Sequence, residues 1–362
     1  MHPRQIANLQ LLRAVAALLV VLFHLQPAMN AAFGQSLHVN FPAFGVDIFF
    51  VISGFVMFYS NRQFDRDAGQ FLAERFFRIV PLYWLATLVI VACFMVGFRP
   101  VGLHLLNGQI LLQSLLFVQS SFPDGRHDLI LTVGWTLMYE LFFYAAFALT
   151  FVFRSQVASL LLLGLSFAML IAAGQFLGPL PYVVDFYASP IIIEFLYGAA
   201  LASLYGRLGE RAPAWLPALG VGLIVAAVVL VSSWEAMHLP VPNKHDARFL
   251  VFGIPGLLIV AGALAMEKGG WIVRQSFALL LGAASYALYL FHPLILQIVI
   301  KGCAILLPHK GAVSAAIAAL LAVAICIFAA IGIHLAIERP LLRRTRSLVA
   351  ALRMPGAKHA EA

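Results

Sequence analysis

Apolar residues in this chain fall into long runs that short polar segments separate. A helix that crosses a bilayer needs about 20 consecutive, predominantly apolar residues. The sequence offers ten candidate spans, at residues 9–26, 44–60, 77–98, 134–153, 157–177, 188–205, 214–233, 247–266, 277–300 and 313–337. A further apolar stretch at 110–119 is too short to cross and is expected to dip into the membrane or lie on its surface. The pattern predicts an all-α polytopic membrane protein with about ten transmembrane helices.

The composition agrees with this pattern. The 362 residues are 63% hydrophobic and 10% charged, whereas about a quarter of the residues in an ordinary soluble domain are charged. No polar stretch is long enough for a separate soluble domain, so we expect a transmembrane domain at 1–345 and a basic cytoplasmic tail at 346–362. The N-terminal residues lead directly into a span that carries Arg13, so no cleavable signal peptide is expected.

The cysteines and histidines show no metal-binding pattern. The three cysteines, Cys93, Cys303 and Cys326, lie far apart in apolar runs and match no metal or redox spacing. No HExxH or CxxC motif occurs in the chain. We therefore expect neither a metal site nor a disulfide framework.

The Lys and Arg residues are unevenly divided between alternate loops. If the N-terminus is cytoplasmic, sixteen of the 23 lie in inner segments and six in outer segments, with Arg13 inside the first span. The outer six are Arg99, Arg126, Lys244, Arg248, Lys301 and Lys310. This positive-inside bias supports ten spans with both termini in the cytoplasm. The same bias explains the net charge of +8, because the basic residues orient the chain in its partner, the lipid bilayer. No nucleic-acid partner is needed to account for this charge.

Two ionisable residues lie on one face of the first span. Arg13 and His24 are eleven positions apart, which on a helix is three turns plus about 20° and a rise of about 16 Å. Arg13 is therefore expected near the cytoplasmic side and His24 near the outer side. Charged residues inside spans indicate function by default. The simpler interpretations are that Arg13 snorkels to the interface and that His24 is exposed to water at a helix end.

Other ionisable residues repeat this separation in depth. The predicted topology places four of them toward the outer ends of their spans, near the level of His24: Asp47, Glu140, Glu194 and His292. It places Arg75 and Arg78 at the inner mouth of the third span, close in depth to Arg13. The chain is therefore predicted to have a basic inner mouth and an outer chamber of histidines and carboxylates.

Each level has a chemical interpretation and a simpler alternative. Inner arginines suit the phosphates of a cytosolic ligand, although they also satisfy the positive-inside rule. A histidine beside a carboxylate suits general-base chemistry on a hydroxyl group, but a proton relay in a transporter uses the same residue types. From these residues alone, an enzyme and a transporter of a glycan or lipid-linked sugar both remain open.

Two weaker motifs lie near the predicted chamber. Ser53 and Gly54 form a small-residue pair that favours a close helix crossing, with a polar wall for a substrate as the second interpretation. Trp135 and Tyr139 are candidates for interfacial anchors or for stacking on a substrate. Six residues are therefore assigned to the acceptor side or to structure: Asp47, Ser53, Trp135, Tyr139, Glu194 and His292.

Five segments resemble one known family in the expected order. They are LRAVAALLVVLFH at 12–24, GVDIFFVISGFVM at 45–57, RFFRIVPLYWL at 75–85, GWTLMYELFFY at 134–144 and SYALYLFHPLI at 285–295. Over most of its length the chain resembles the membrane-bound acyltransferase-3 family. The tyrosine in WTLMYE, and the lack of a fused extracytoplasmic hydrolase-like domain, look more like its exopolysaccharide-production subgroup.

The resemblance implies an activity and a set of roles. The family moves an acyl group, usually acetyl from acetyl-CoA, onto a carbohydrate hydroxyl across the bacterial inner membrane. By likeness, His24 is the catalytic base, and Arg13, Arg75 and Arg78 serve the donor. A catalytic role for Glu140 beside His24 is inferred from depth. Acyl-CoA is then a co-substrate from the cytoplasm, with no tightly bound cofactor, and the carbohydrate arrives from the outer side.

Overall fold

The computed structural model describes residues 6–34, 38–60, 67–99, 103, 105–122, 125, 127–153, 155–178, 180–208, 213–307 and 311–352, with the backbone alone for 346–352. Several expected basic residues lie outside this part of the chain, namely Arg4, Arg62, Arg66, Arg126, Arg154, Arg211, Lys310, Arg353 and Lys358. Of the basic tail predicted at 346–362, residues 353–362 also lie outside it. The boundary predicted after residue 345 falls within the last helix.

The described residues fold into helices joined by short loops. The first eight helices are α1 Ala7–Phe33, α2 Gly45–Ser60, α3 Ala68–Met95, α4 Gly108–Leu115, α5 Trp135–Leu149, α6 Gln156–Phe176, α7 Tyr182–Tyr187 and α8 Ile193–Arg207. The next seven are α9 Leu216–Ala236, α10 Arg248–Val251, α11 Gly253–Lys268, α12 Ser276–Ala283, α13 Ser285–Leu306, α14 Ala312–Ile333 and α15 Arg339–Leu352.

Irregular elements connect these helices. Four short 3-10 helices lie at Phe41–Phe44, Thr132–Gly134, Thr150–Val152 and Pro190–Ile192, and a π-helical turn, His334–Glu338, joins α14 to α15. The two strands β1 Ser120–Ser121 and β2 His127–Asp128 form a small antiparallel hairpin. The apolar stretch predicted at 110–119 begins within the short helix α4, whose last turn accepts hydrogen bonds from side chains of α3.

Nine helical segments of the described chain are long and apolar enough to cross a membrane. They are Ala7–Phe33, Phe41–Ser60, Ala68–Met95, Thr132–Val152, Gln156–Phe176, Leu216–Ala236, Arg248–Lys268, Ser285–Leu306 and Ala312–Thr345. They correspond to nine of the ten predicted spans and establish an all-α polytopic membrane protein. The remaining predicted span, at 188–205, corresponds to α8, which is not among these nine.

The helix α8 nevertheless runs alongside α2 over the same depth. At one end Glu194 lies beside Asp47, and at the other the ring of Tyr205 is 5.7 Å from that of Phe55. In between, a side chain on Gly198 would collide with the backbone of α2. The two helices are therefore parallel, and glycine permits their close approach. The helix α8 therefore lies alongside the candidate span that contains α2, although α8 is not itself among the nine.

The first turn of α1 is fixed at one side of the bundle, which we call the inner side. The carboxylate of Glu267, at the end of α11, accepts hydrogen bonds from the backbone N–H groups of Ala7 and Asn8, at 3.0 and 2.7 Å. The Asn8 side chain also donates to the carbonyls of Ala263 and Trp271. An acid at a helix N-terminus satisfies unpaired N–H groups and complements the helix dipole. This network fixes the depth of every residue on α1.

Candidate functional site

Two histidines from different helices meet in the outer half of the bundle. His24 on α1 and His292 on α13 have ring centroids 5.0 Å apart, and Nε2 of His292 lies 3.3 Å from Nδ1 of His24. His292 is fully buried, whereas His24 is partly accessible. Because α1 and α13 run in the same direction, residues far apart in the sequence are brought to the same depth.

Backbone carbonyls determine which nitrogens carry protons. Nδ1 of His24 lies 2.9 Å from the carbonyl oxygen of Val20, and Nδ1 of His292 lies 3.1 Å from that of Leu288. A carbonyl only accepts, so each Nδ1 is the donor. The single Nδ1–H of His24 is then shared between the carbonyl of Val20 and Nε2 of His292, as a bifurcated hydrogen bond with the carbonyl closer. In neutral His24, the remaining lone pair is on Nε2, where a general base needs it.

Aromatic side chains form the wall beside this pair. The ring of Tyr289 lies 6.0 Å from both His292 and Phe49. Its hydroxyl donates to the carbonyl of Val133 at 3.0 Å and is 2.7 Å from the hydroxyl of Thr136. The helices α1, α2, α5 and α13 therefore converge around the histidine pair.

The expected pairing of a histidine with a carboxylate is wrong. Asp47 instead accepts two hydrogen bonds from Arg248, at 2.9 and 2.7 Å, and Arg248 also donates to the carbonyl of Ala43 at 3.0 Å. Arginine offers a planar fork that matches a carboxylate, which explains why it holds Asp47. Arg248 was assigned to an outer loop, but it lies buried at the start of the span Arg248–Lys268.

Glu194 belongs to the same buried charge cluster. Its side chain is fully buried, interacts electrostatically with Asp47 and Arg248, and packs closely on Gly253. In the described part of the chain, neither carboxylate oxygen accepts a hydrogen bond. Asp47, Glu194 and Arg248 thus form a cluster, which we call the outer charge cluster, that links α2, α8 and α10.

Glu140 lies with the inner arginines rather than beside His24. One of its oxygens accepts hydrogen bonds from the hydroxyl of Ser53, at 3.1 Å, and from that of Tyr144. The same carboxylate interacts electrostatically with Arg13. The inferred contact between Glu140 and His24 is therefore wrong, because these polar partners hold the carboxylate one level further in. Ser53 provides a polar group that contacts Glu140, as the second interpretation allowed, while its neighbour Gly54 packs against the backbone of α8.

The three predicted donor arginines gather around this glutamate. Arg13 interacts electrostatically with Arg78, Glu140 and Tyr144. Arg75 lies beside Tyr144, with its guanidinium 5.6 Å from the ring of Phe71. A cavity of about 400 Å³ opens next to Arg75 and Tyr144. These side chains, from α1, α3 and α5, form one inner cluster.

A second acid from the C-terminal region completes the inner cluster. Glu338 is 4% exposed, interacts with Arg13, and accepts a hydrogen bond of 2.8 Å from Nδ1 of His334. Both residues lie on the π-helical turn, an element frequently found at functional sites. The sequence analysis missed this pair, although an acid so close to an apolar run of this length is an available signal.

Two arginines of the inner cluster lie beside like charge. In the described residues, Arg13 and Arg78 interact electrostatically with each other, and neither forms a direct ion pair with a carboxylate. Of the nearby acids, Glu140 is hydrogen-bonded to Ser53 and Tyr144, and Glu338 to His334. Arg13 and Arg78 can therefore accept an anionic group, which arginine binds well.

The predicted aromatic residues divide between packing and the outer mouth. Tyr139 is buried, donates to the carbonyl of Phe186 and stacks on the ring of Phe186 at 4.5 Å. Trp135 is half-buried at the start of α5, and the ammonium group of Lys244 lies 5.6 Å from its ring. The sequence analysis counted Lys244 as a loop charge and gave it no role. Across the described ranges, no group of three or more His, Cys, Asp or Glu residues is placed to hold a metal ion.

Comparison with known proteins identifies the family. The acyltransferase domain of the acyltransferase-3 family matches residues 6–333 of the chain. The chain belongs to this family. It is also 35% identical over 314 residues to the exopolysaccharide production protein ExoZ of Rhizobium meliloti (strain 1021), covering 86% of this chain and 92% of that protein. No solved structure matches.

Membership confirms the resemblance drawn from the five motifs, all of which lie within the matched residues. As an acyltransferase-3 protein, the chain is a multi-pass membrane enzyme that transfers acyl groups. The histidine pair, the inner cluster and the outer charge cluster are therefore parts of a membrane acyltransferase. Their individual roles follow only from chemistry and position.

Proposed function

We propose that the protein transfers an acyl group, in the first place acetyl, from cytosolic acyl-CoA to a carbohydrate hydroxyl of an exopolysaccharide or its lipid-linked precursor. The observation that carries this proposal is the separation of two chemistries along α1. Arg13 lies beside Arg78 in the inner cluster, and His24 lies further out with a lone pair on Nε2. The family and the similarity to ExoZ support acyl transfer and the exopolysaccharide.

The proposed orientation follows from charge. The positive-inside bias supports an orientation with both termini, and therefore the inner cluster, on the cytoplasmic side of the membrane, which for this family we take to be a bacterial inner membrane. Acyl-CoA is made in the cytoplasm and carries phosphates, so Arg13, Arg75 and Arg78 are suited to bind it. The thioester arm would extend outward along α1 toward His24. The carbohydrate would reach the histidine pair from the opposite side.

The proposed reaction needs one base. Nε2 of His24 takes the proton of the acceptor hydroxyl while its oxygen attacks the carbonyl carbon of the thioester. The tetrahedral intermediate collapses, the carbon–sulfur bond breaks, and the CoA thiolate leaves. The imidazolium of His24 returns its proton to that thiolate, so the enzyme ends in its starting state.

His292 is suited to position the base. Its Nε2 accepts from Nδ1–H of His24, so it fixes the ring and offers a lone pair to the imidazolium when His24 becomes charged. A neutral histidine here does the work that a carboxylate does in other catalytic pairs. Glu140, held by Ser53 and Tyr144, is proposed to balance the charge of the donor site instead.

The test uses purified protein with labelled acetyl-CoA and an exopolysaccharide fragment. His24→Gln is expected to lower kcat by about 10²–10⁴, the usual contribution of a general base, while CoA still binds. His292→Phe should lower kcat about tenfold with little change in KM, since a hydrogen bond to a charged group is lost. His292→Gln keeps an acceptor and should recover part of that loss.

The matched control is His38→Gln, an exposed histidine in the loop after α1. It should leave kcat unchanged. Full acyl transfer by His24→Gln would overturn the mechanism. A glycan or lipid-linked sugar transporter with the same buried groups would instead move its cargo without consuming acetyl-CoA, and a wild-type protein that transfers no acyl group would favour it.

A further inference from the structure

One lysine of the outer side is held by aromatic rings instead of by a carboxylate. Lys244 lies in the loop between α9 and α10, and its ammonium nitrogen is 3.8 Å from the ring centroid of Phe186 and 5.6 Å from those of Trp135 and Tyr139. Such contacts stabilise a cation without using its N–H donors. Within the described part of the chain, the ammonium makes no direct ion pair.

The backbone of this lysine is anchored. The hydroxyl of Ser189, just before α8, donates to the carbonyl of Lys244 at 2.5 Å. The next residue, His245, donates its backbone N–H to the side chain of Asn243 at 3.1 Å. A loop tied in this way presents the ammonium at a defined position. Contacts with three aromatic rings are not required for a lysine whose ammonium group is simply solvated.

Burial makes this ammonium chemically unusual. Loss of solvent lowers the pKa of Lys244 to about 8, and the more distant carboxylates of Asp128 and Asp185 oppose the shift. The group is therefore charged at neutral pH and becomes neutral as the pH rises through about 8. Its three donors remain available to an anion from outside the protein.

One turn of α2 contacts the surroundings of both this lysine and the histidine pair. The ring of Trp135, beside Lys244, is 6.3 Å from that of Phe50 on α2. The preceding residue on the same helix, Phe49, lies 6.0 Å from Tyr289, which in turn lies 6.0 Å from His292. The same turn of α2 therefore borders the lysine on one face and the proposed base on another.

We propose that Lys244 binds an anionic group of the carbohydrate acceptor and thereby holds the acceptor at the outer mouth. The anion is either a carboxylate on the glycan or the phosphate that joins the glycan to a lipid carrier. This inference rests on the proposed function, because it assigns the acceptor to this side. The rings hold the ammonium in place, and the acceptor supplies the partner that the described protein residues do not.

The test compares three acceptors with the wild-type enzyme, Lys244→Gln and Lys244→Arg. The acceptors are an oligosaccharide that carries a carboxylate, the same oligosaccharide with the carboxyl reduced, and the reduced form linked through phosphate to a polyprenyl chain. Lys244→Gln should raise KM about tenfold for acceptors that carry the recognised anion, with kcat unchanged. Lys244→Arg should retain the wild-type KM. The affected acceptor identifies the carboxylate or the phosphate.

The pH dependence gives a second measurement. The wild-type KM for the anionic acceptor should rise as the pH passes about 8, while Lys244→Arg, which stays charged, should show no such rise. The matched control is Lys301→Gln, which removes an exposed outer lysine that already donates to the carbonyl of Arg99. This control should not change KM for any acceptor.

Two outcomes would overturn the inference. One is an unchanged KM in Lys244→Gln for all three acceptors, and the other is an equal rise that includes the uncharged one. Unaltered CoA binding shows that each variant is folded. If the wild-type enzyme transfers no acyl group to any acceptor, the proposed function itself fails. If the wild type transfers normally and only the charge dependence is missing, the role of Lys244 alone fails.

Discussion

The protein contains two arginine sites of opposite design. In the outer charge cluster, the guanidinium of Arg248 donates to Asp47 and to a backbone carbonyl, and Glu194 lies beside them. In the inner cluster, Arg13 faces a second arginine, Arg78, and carboxylates that other side chains already engage. At the first site the arginine is paired with an acid, whereas at the second, Arg13 and Arg78 lie beside each other and neither makes a direct ion pair among the described residues.

This difference separates structure from function more clearly than burial does. An arginine whose donors are used by its own protein cannot bind a ligand without breaking the fold. An arginine next to like charge is unfavourable until an anion arrives, so its position makes sense for a site that is filled during the reaction. The outer charge cluster is therefore expected to stabilise the bundle, and the inner cluster is expected to bind the donor.

The largest expected effect is on stability, in the outer charge cluster. Arg248→Met should destabilise the protein by about 3–5 kcal/mol, because it leaves Asp47 and Glu194 buried without their cation. The measurement is the thermal unfolding of the detergent-solubilised protein. The double variant Arg248→Met with Asp47→Leu should be less destabilised than the sum of its single variants. A single variant as stable as the wild type would show that this cluster does not hold the helices together.

The inner cluster should respond in the opposite way, with loss of binding and little loss of stability. Arg78→Gln is expected to weaken CoA binding about ten- to a hundredfold, since a charge-assisted hydrogen bond contributes about 1.5–3 kcal/mol. The measurement is titration calorimetry with CoA at two salt concentrations. The wild-type affinity should fall with salt more steeply than that of the variant.

The matched control is Arg274→Gln, an exposed arginine in the loop that precedes α12 on the inner side. It should change CoA affinity by less than twofold. If Arg78→Gln unfolded the protein instead, or if both substitutions weakened CoA equally, the distinction between a structural and a ligand-binding arginine would fail.

The sequence predicts the two-level arrangement because hydropathy and helix period determine depth and face. Arg13, Arg78 and His24 lie at the predicted levels for that reason. The sequence does not predict which side chains pair with each other, because these pairs depend on how separate helices pack. Arg248 illustrates the gap: it was counted with a loop, yet Asp47 inside a span already required a cation nearby.

The helix α8 illustrates a second gap. It has 15 residues, fewer than any of the nine candidate spans, and Glu194 and several small residues interrupt its apolar run, but those residues are what the packing needs. Glu194 interacts electrostatically with Arg248, and the lack of a side chain at Gly198 lets the backbone of α2 approach closely. A span buried among other helices need not match the composition of one that faces lipid. The predicted depth of Glu140 failed for a related reason, because Ser53 and Tyr144 draw it toward the inner cluster.

The smallest expected effect is at Ser53, where the two levels meet. Its hydroxyl donates to Glu140 at 3.1 Å, while the proposed base is engaged by His292. Direct transfer to the acceptor therefore needs no covalent intermediate on this serine. Ser53→Ala should lower kcat/KM only about three- to tenfold, less than the loss of a full charge-assisted hydrogen bond, because Glu140 keeps its contact with Tyr144.

The measurement is steady-state transfer together with a search for labelled protein after incubation with acetyl-CoA alone. Ser203→Ala, which removes a hydroxyl bonded within α8, is the matched control and should have no effect. Loss of all activity in Ser53→Ala, with a trapped acyl group on the wild-type serine, would replace direct transfer by an acyl-enzyme route. Glu140 would then be the base for that serine, and the inner cluster would take part in the chemistry as well as in donor binding.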